Sequence, residues 1–514
     1  MNGAELALRT AQSAGVNVCF ANPGTTEIPF VTALDNVPET RGILCLFEGV
    51  ATGAADGYAR MAGKPALTLV HLGPGFGNGV ANLHNARRAR TPLVNVIGDH
   101  ASWHLDADAP LNMDVVSLAG TVSGWTRRTQ CADDAGQDMA DAVSAAVKGQ
   151  VATLIFPHDY QGSETGNLPL QVPPASFAPV DPESIETAAR LLSSDKRTAL
   201  LLGGGALLAD SLKIVERIRT ACGCALYSEG FAGRVDRGAG LPIAPRVPYL
   251  PEDGLAALGK YDAFVFVDAR RPVAFFGWPG SPSYYITDEQ EMHTIGGDGQ
   301  DALAVLTALA DALGAPASVP SSNPEVIRPE LPTGELTAQA IGATLAALQP
   351  ENAIVMNSGI TASWAYAGLS GSAPPHTHLG ITGGAIGQGI PCATGAAVAC
   401  PDRAVINLQA DGSAAYTIQG LWTQAREQLN VTTLLCSNRR YKILQGELTR
   451  AGVEPGPTAR SLTDLANPDI GWAQIARGMG VPAVTVESAE EMAKELQRGL
   501  TEPGPHFVEL LMAD

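Results

Sequence analysis

The first third of the chain alternates short apolar runs with stretches of small residues. VNVCFA (16–21), ILCLF (43–47), ALTLVHL (66–72) and LVNVIG (93–98) read as strands, and most lead through a turn towards a helix. Strands alternating with helical stretches predict a doubly wound parallel sheet. The Pro-rich VPPASFAPVDPES (172–184) breaks this rhythm and reads as a linker. The pattern resumes in TALLLGGGA (198–206), CALYSEG (224–230) and AFVFVD (263–268). It pauses again at SVPSSNPEVIRPELPTG (318–334) and repeats from Leu336 onward. The expected fold class is therefore α/β, with three doubly wound parallel-sheet domains spanning 1–172, 185–320 and 336–514.

Composition narrows the function classes. At 514 residues, with 45% hydrophobic and 17% charged residues, the balance is that of a multidomain globular protein. A formal charge of −19 excludes the basic footprint of a nucleic-acid binder. It leaves room for an anionic substrate held by local dipoles and a metal ion. Of the eight cysteines, several sit in strand-like apolar runs and read as buried thiols. Cys222-Gly223-Cys224 lacks a second Cys or His cluster that would complete a metal clip. Without a secretory pattern or a run of membrane-spanning length, a reduced cytoplasmic protein is expected, with no membrane partner.

The most informative stretch is AVINLQADGSAAYTIQGLWTQAREQLNVTTLLCSNRRY (404–441). AVINLQ reads as a strand, Ala410-Asp411-Gly412-Ser413 as a turn, and Ile418, Leu421, Trp422, Ala425 and Leu429 recur at helical spacing. VTTLLCS is the next strand, ending at Asn438. A right-handed crossover makes the two strands parallel, so Asp411 and Asn438 project from the same edge. A carboxylate and an amide oxygen there suit Mg²⁺. Gly412 admits a phosphate close to the backbone, and Ser413 opens a helix whose N–H groups attract anions. Helix capping by Asp411 and Ser413 is the alternative for the turn taken alone.

These residues resemble the thiamine-diphosphate motif that begins Gly-Asp-Gly and ends Asn-Asn, with Ala410 and Ser437 as departures that spare both ligand positions. The resemblance implies that the carbonyl of Arg440 is a third protein ligand to the metal. It also implies that Asn357 and Thr361, in VMNSGITASW, lie by the diphosphate, and that Ile386, in GGAIGQGIP, is the wedge that bends the cofactor.

Glu48, in LCLFEGVATGAADGYARMAG (44–63), stands beyond a strand at the head of a small-residue helix, where the helix dipole alone would favour a carboxylate. With Ala54-Ala55-Asp56-Gly57-Tyr58-Ala59-Arg60, it resembles the pyrimidine-binding segment of the acetolactate synthase, pyruvate oxidase and benzoylformate decarboxylase group. Glu48 would then activate the cofactor. The three domains become pyrimidine-binding, middle and diphosphate-binding, and a homodimer or homotetramer with sites at a subunit interface is implied.

NPGTTEIPF (22–30) and HLGPGFGN (71–78) are similar to the substrate loops of benzoylformate decarboxylase, which implies roles for Thr25, His71 and Asn78. RRPVAFFGWPG (270–280) offers Phe, Gly and Trp where that enzyme has a second histidine. His100 and His104 are open as metal ligands by spacing or as surface or interface residues, and His376 and His378 as pocket residues. Gly203-Gly204-Gly205 follows a strand and could meet a nucleotide phosphate, though it lacks the full dinucleotide fingerprint. Some relatives carry FAD in this middle domain. The expected activity is decarboxylation or carboligation of a 2-oxo acid. A 2-hydroxyacyl thioester lyase, an FAD-linked oxidase and a non-catalytic cofactor-binding paralogue are the alternatives.

Overall fold

In the computed structural model, which describes residues 1–174, 176–297 and 299–513, three stretches of chain each build a parallel sheet. Ala175, in the expected first linker, and Asp514, the expected end of the third domain, lie outside the described residues. The first sheet contains β1 (Val18–Asn22), β2 (Arg41–Leu44), β3 (Ala66–His71), β4 (Leu93–Asp99), β5 (Trp125–Arg128) and β6 (Val151–Pro157), in the order β2-β1-β3-β4-β6-β5. Strands β3, β4 and β6 are buried along almost their whole length. Helices covering both faces explain why they read as apolar runs rather than as alternating patterns. All pairings are parallel, so the carboxyl ends share one edge, with Asn22 beside Val70 and His71 beside Gly98.

The second sheet takes β7 (Thr198–Leu202), β8 (Ala225–Ser228), β10 (Ala263–Val267) and β11 (Glu291–Ile295) in the parallel order β11-β10-β7-β8, leaving β9 (Arg234–Arg237) outside it. In the third stretch, β12 (Ile354–Ser358), β14 (Val405–Ala410), β15 (Val431–Ser437), β16 (Ala483–Val486) and β17 (His506–Leu511) run parallel in the order β16-β17-β15-β14-β12. The remaining strand, β13 (His376–Gly380), pairs antiparallel with β9.

The three sheets are distributed over two compact units of the chain. The described residues of Met1–Ala175, Pro329–Leu369 and Ile381–Asp514 form one, and those of Ser176–Arg328 and Ser370–Gly380 the other. The segment 370–380 joins the second unit because β13 pairs with β9. Asn323 also donates to Gly371 O at 2.9 Å, and Ile327 N–H to Ser372 O at 2.7 Å.

Within the first unit, the helix Glu48–Ala62 packs on the helix Gly389–Ala399. A Cβ added to Gly57 would stand 2.0 Å from Cys392 O, and one on Gly395 1.8 Å from Ala54 O, so only hydrogen fits at these crossings. Among the described residues no helix is long and apolar enough to cross a membrane. All eight cysteines are free thiols.

Candidate active site

Asp411 follows β14 and Asn438 follows β15, neighbours paired Ala410 to Cys436. The crossover therefore brings together residues 27 positions apart, as their spacing predicts. The Asp411 carboxylate is buried. Its Oδ1 accepts the Gly412 N–H at 2.8 Å, and its Oδ2 accepts the Arg439 N–H at 2.7 Å. Asn438 Oδ1 in turn accepts the Arg440 N–H at 3.1 Å. Burial pushes the Asp411 carboxyl above its usual range, and the N–H groups of Gly412, Arg439 and Asn438 pull it back. Among the described residues no Lys, Arg or His side chain forms an ion pair with it.

A buried carboxylate with no cationic partner is costly unless a cation arrives. Carboxylate, amide and carbonyl oxygens are the donors that a hard divalent ion takes, so Asp411, Asn438 and Arg440 fit Mg²⁺. Gly412 is needed here, since a Cβ would lie 2.4 Å from the Tyr441 ring.

Instead of one long helix after the turn, the chain forms a short helix at Asp411–Ala414 and a second at Gly420–Arg426. Between them the backbone bonds three residues back, as in Thr417 N–H to Ala414 O and Gly420 N–H to Thr417 O. Thr417 also turns its hydroxyl to Gly387 O at 2.8 Å, and Ser413 Oγ accepts the Gly387 N–H at 3.0 Å. Tight turns here serve the loop that carries Ile386. Ile386 itself is half-buried, just before the helix Gly389–Ala399. On β12, Asn357 is buried and accepts the Ser363 hydroxyl, while Thr361 opens the helix Thr361–Leu369.

The N-terminal sheet supplies the second cluster. Glu48 heads its helix, is buried, and accepts Asn78 Nδ2 at 3.0 Å. His71 ends β3, and its Nδ1 lies 2.7 Å from Oε2 of the fully buried Glu27. Glu27 Oε2 also accepts the Gly24 N–H at 2.7 Å, and Oε1 accepts the Thr26 hydroxyl at 2.6 Å. Thr25 is exposed on this loop, whereas the Thr26 hydroxyl lies 3.2 Å from His71 Nδ1. A carboxylate only accepts, so Nδ1 carries the proton and Nε2 is the ring's acceptor.

A third set, centred on Asp56 and Arg60 of the pyrimidine-binding segment, ties the two clusters into one unit. Asp56 Oδ2 accepts Gln388 Nε2 at 2.5 Å and Arg60 Nη2 at 2.7 Å, and Oδ1 accepts the Thr91 hydroxyl at 2.6 Å. Arg60 reaches the Thr382 hydroxyl at 3.1 Å. Asn85 Oδ1 accepts the Gly383 N–H at 3.1 Å, and its Nδ2 donates to Ala385 O at 2.8 Å. Residues of the N-terminal sheet's helices thus hold both ends of the loop around Ile386.

Two further histidines touch these clusters, His158 through Nδ1 at 3.1 Å from Thr26 O and His84 through Nε2 at 3.1 Å from Gly383 O. His100 and His104 lie edge to face, 5.5 Å apart, and among the described residues no three metal-ligating His, Cys, Asp or Glu side chains stand together. His376 and His378 lie on β13 in the second unit.

Residues 1–118 match the family model "Thiamine pyrophosphate enzyme, N-terminal TPP binding domain", and residues 357–510 match the corresponding C-terminal TPP binding domain. The chain is 48% identical, over 100% of its length and 99% of the relative's, to IlvX of Mycobacterium tuberculosis, provisionally described as an acetolactate synthase large subunit. It is 28% identical to a benzoylformate decarboxylase of Pseudomonas aeruginosa, over 96% of both chains. The structure of a thiamine diphosphate-dependent 4-hydroxybenzoylformate decarboxylase from Rhodococcus jostii RHA1 superposes with a TM-score of 0.84. It is 22% identical and covers 100% of this chain and 99% of that one, a likeness of fold.

Proposed function

The chain belongs to the thiamine-diphosphate-dependent enzyme family, and from that membership we propose that it is a magnesium-dependent decarboxylase or carboligase of 2-oxo acids. The observation that carries this reading is the buried Asp411 carboxylate, drawn to the Asn438–Arg440 turn by its 2.7 Å contact with the Arg439 N–H. In this reading Asp411, Asn438 and the Arg440 carbonyl hold Mg²⁺. The backbone at Gly412 and Ser413, with Asn357 and Thr361, receives the diphosphate. Bound thiamine diphosphate would supply nucleophilic chemistry towards a carbonyl, which belongs to the cofactor.

The protein's part is orientation and proton handling. Glu48, fixed by Asn78, would present its carboxylate to the cofactor's pyrimidine ring, and half-buried Ile386 would support the bound cofactor from beneath. His71, with Nδ1 engaged by Glu27, offers Nε2 as the acceptor of a proton in transit and, once protonated there, as a donor to the substrate carboxylate. Thr25, exposed on the adjoining loop, would meet the substrate in this reading. Exposed apolar side chains at Trp103, Leu111, Met113 and Val116 supply surface that a homodimer or homotetramer would cover.

The test is a panel of aliphatic and aromatic 2-oxo acids with Mg²⁺ and thiamine diphosphate, following CO₂ release and ligation products together. Turnover of at least one member is expected, and Asp411→Ala should lose both turnover and metal-dependent cofactor binding. Silence across the panel, or unchanged cofactor affinity in Asp411→Ala, would refute the reading.

A further inference from the structure

The glycine turn of the second unit sits where a nucleotide phosphate would enter. Gly203-Gly204-Gly205 follows β7 at the carboxyl edge of a parallel sheet and leads to the helix Ala209–Cys222. In such sites the backbone N–H groups of the turn and of the helix start receive the anion. Here those donors are taken by the chain's own acids. Gly205 N–H donates to Asp268 Oδ2 at 2.8 Å, Gly204 N–H to Glu229 Oε1 at 3.5 Å, and Ala209 N–H to Asp236 Oδ2 at 3.0 Å.

The turn also lacks space. A Cβ on Gly203 would lie 2.5 Å from Asp268 O and 3.0 Å from Glu229 Cδ. Asp268 itself has φ 51°, a left-handed conformation in which glycine is the unstrained choice. A carboxylate is therefore held beside the turn at a backbone position that favours glycine. Arg234 pairs at 3.3 Å with Asp236, one of these acids.

We infer that Asp268, Glu229 and Asp236 close this turn to the diphosphate of a dinucleotide, so that the second unit carries no FAD there. FAD does not fit the residues present, whatever reaction the first unit performs.

The experiment titrates FAD, and separately ADP, into the full-length protein loaded with Mg²⁺ and thiamine diphosphate, reading flavin fluorescence and equilibrium dialysis. The wild type should show no saturation up to about 1 mM, the weak end of specific binding. Asp268→Gly suits the backbone and should fold, and Glu229→Gln keeps the side-chain volume. Together they should tighten ADP or FAD binding at least about tenfold. Saturation of the wild type at micromolar FAD or ADP would overturn the inference. So would a folded double variant that binds neither ligand better than wild type, because the acids would then not be what closes the turn.

Discussion

Glu27 holds His71 through a 2.7 Å contact between Oε2 and Nδ1, and Glu27 is itself fully buried and bonded to Gly24 and Thr26. This arrangement fixes both the ring's orientation and its tautomer, as a carboxylate does behind an imidazole that handles protons. Glu27→Gln keeps the shape, but its amide can donate to Nδ1 and reverse the tautomer. With a 2-oxo acid that the enzyme turns over, kcat/KM should fall about tenfold to a hundredfold with little change in melting temperature. Unaltered kinetics in a folded Glu27→Gln protein would show that His71 is merely structural.

Glu48→Gln should separate binding from activation. The amide can still accept from Asn78, so thiamine diphosphate should bind within a few-fold of the wild-type affinity. Turnover should drop at least about a hundredfold, the scale of a lost proton-transfer partner. Isothermal titration and steady-state rates on the same preparation check both halves. Retained turnover would remove Glu48 from the reaction.

Legibility in the sequence followed the range over which each feature is determined. Asp411 and Asn438 could be paired because one crossover unit contains both, and the parallel partners β14 and β15 put them at one edge. Glu27 gave no such signal. Within TTEIPF it looks like a helix-cap residue, and Glu27 Oε2 does accept the Gly24 N–H. Its bond to His71, 44 positions on, exists only because β1 and β3 are neighbours. The strand β9, Arg234–Arg237, is equally silent, since its four residues have no apolar pattern and it owes its extended state to pairing with β13. The long-range bonds of Asp56 to Gln388 and of Asn85 to Gly383, about 300 positions away, are hidden for the same reason.

Asp56 offers a stability test. It is fully buried and is the ion-pair partner of buried Arg60. Burial pulls the Arg60 guanidinium down, and Asp56 outweighs it. Asp56→Asn leaves a buried cation uncompensated, which costs about 3–5 kcal/mol when one partner of such a pair is removed. The apparent melting temperature should fall, and cofactor affinity with it, because Gln388 and Thr382 at the ends of the Ile386 loop lose their anchor. Replacing Arg60 and Asp56 together with Met and Leu should recover much of the stability but not the affinity. A single variant that melts like wild type would show the pair to be dispensable.

His378 sets a pH dependence for the second unit. Burial, followed by the charges of Arg237, His376 and Arg246, pushes its imidazole well below the ordinary range of about 6.5. It is therefore neutral in the folded protein at pH values where the unfolded chain takes up a proton. A lowered folded value means that its contribution is fully present above about pH 6.5 and is lost as pH falls towards the folded value. The limiting slope is about 1.4 kcal/mol per pH unit. His378→Gln removes the titration, and Arg237 and Arg246 remain charged throughout. Apparent unfolding midpoints in urea between pH 7.5 and 5.5 should therefore decline more steeply for wild type than for the variant. Parallel declines would assign the acid sensitivity to other groups, His376 first among them.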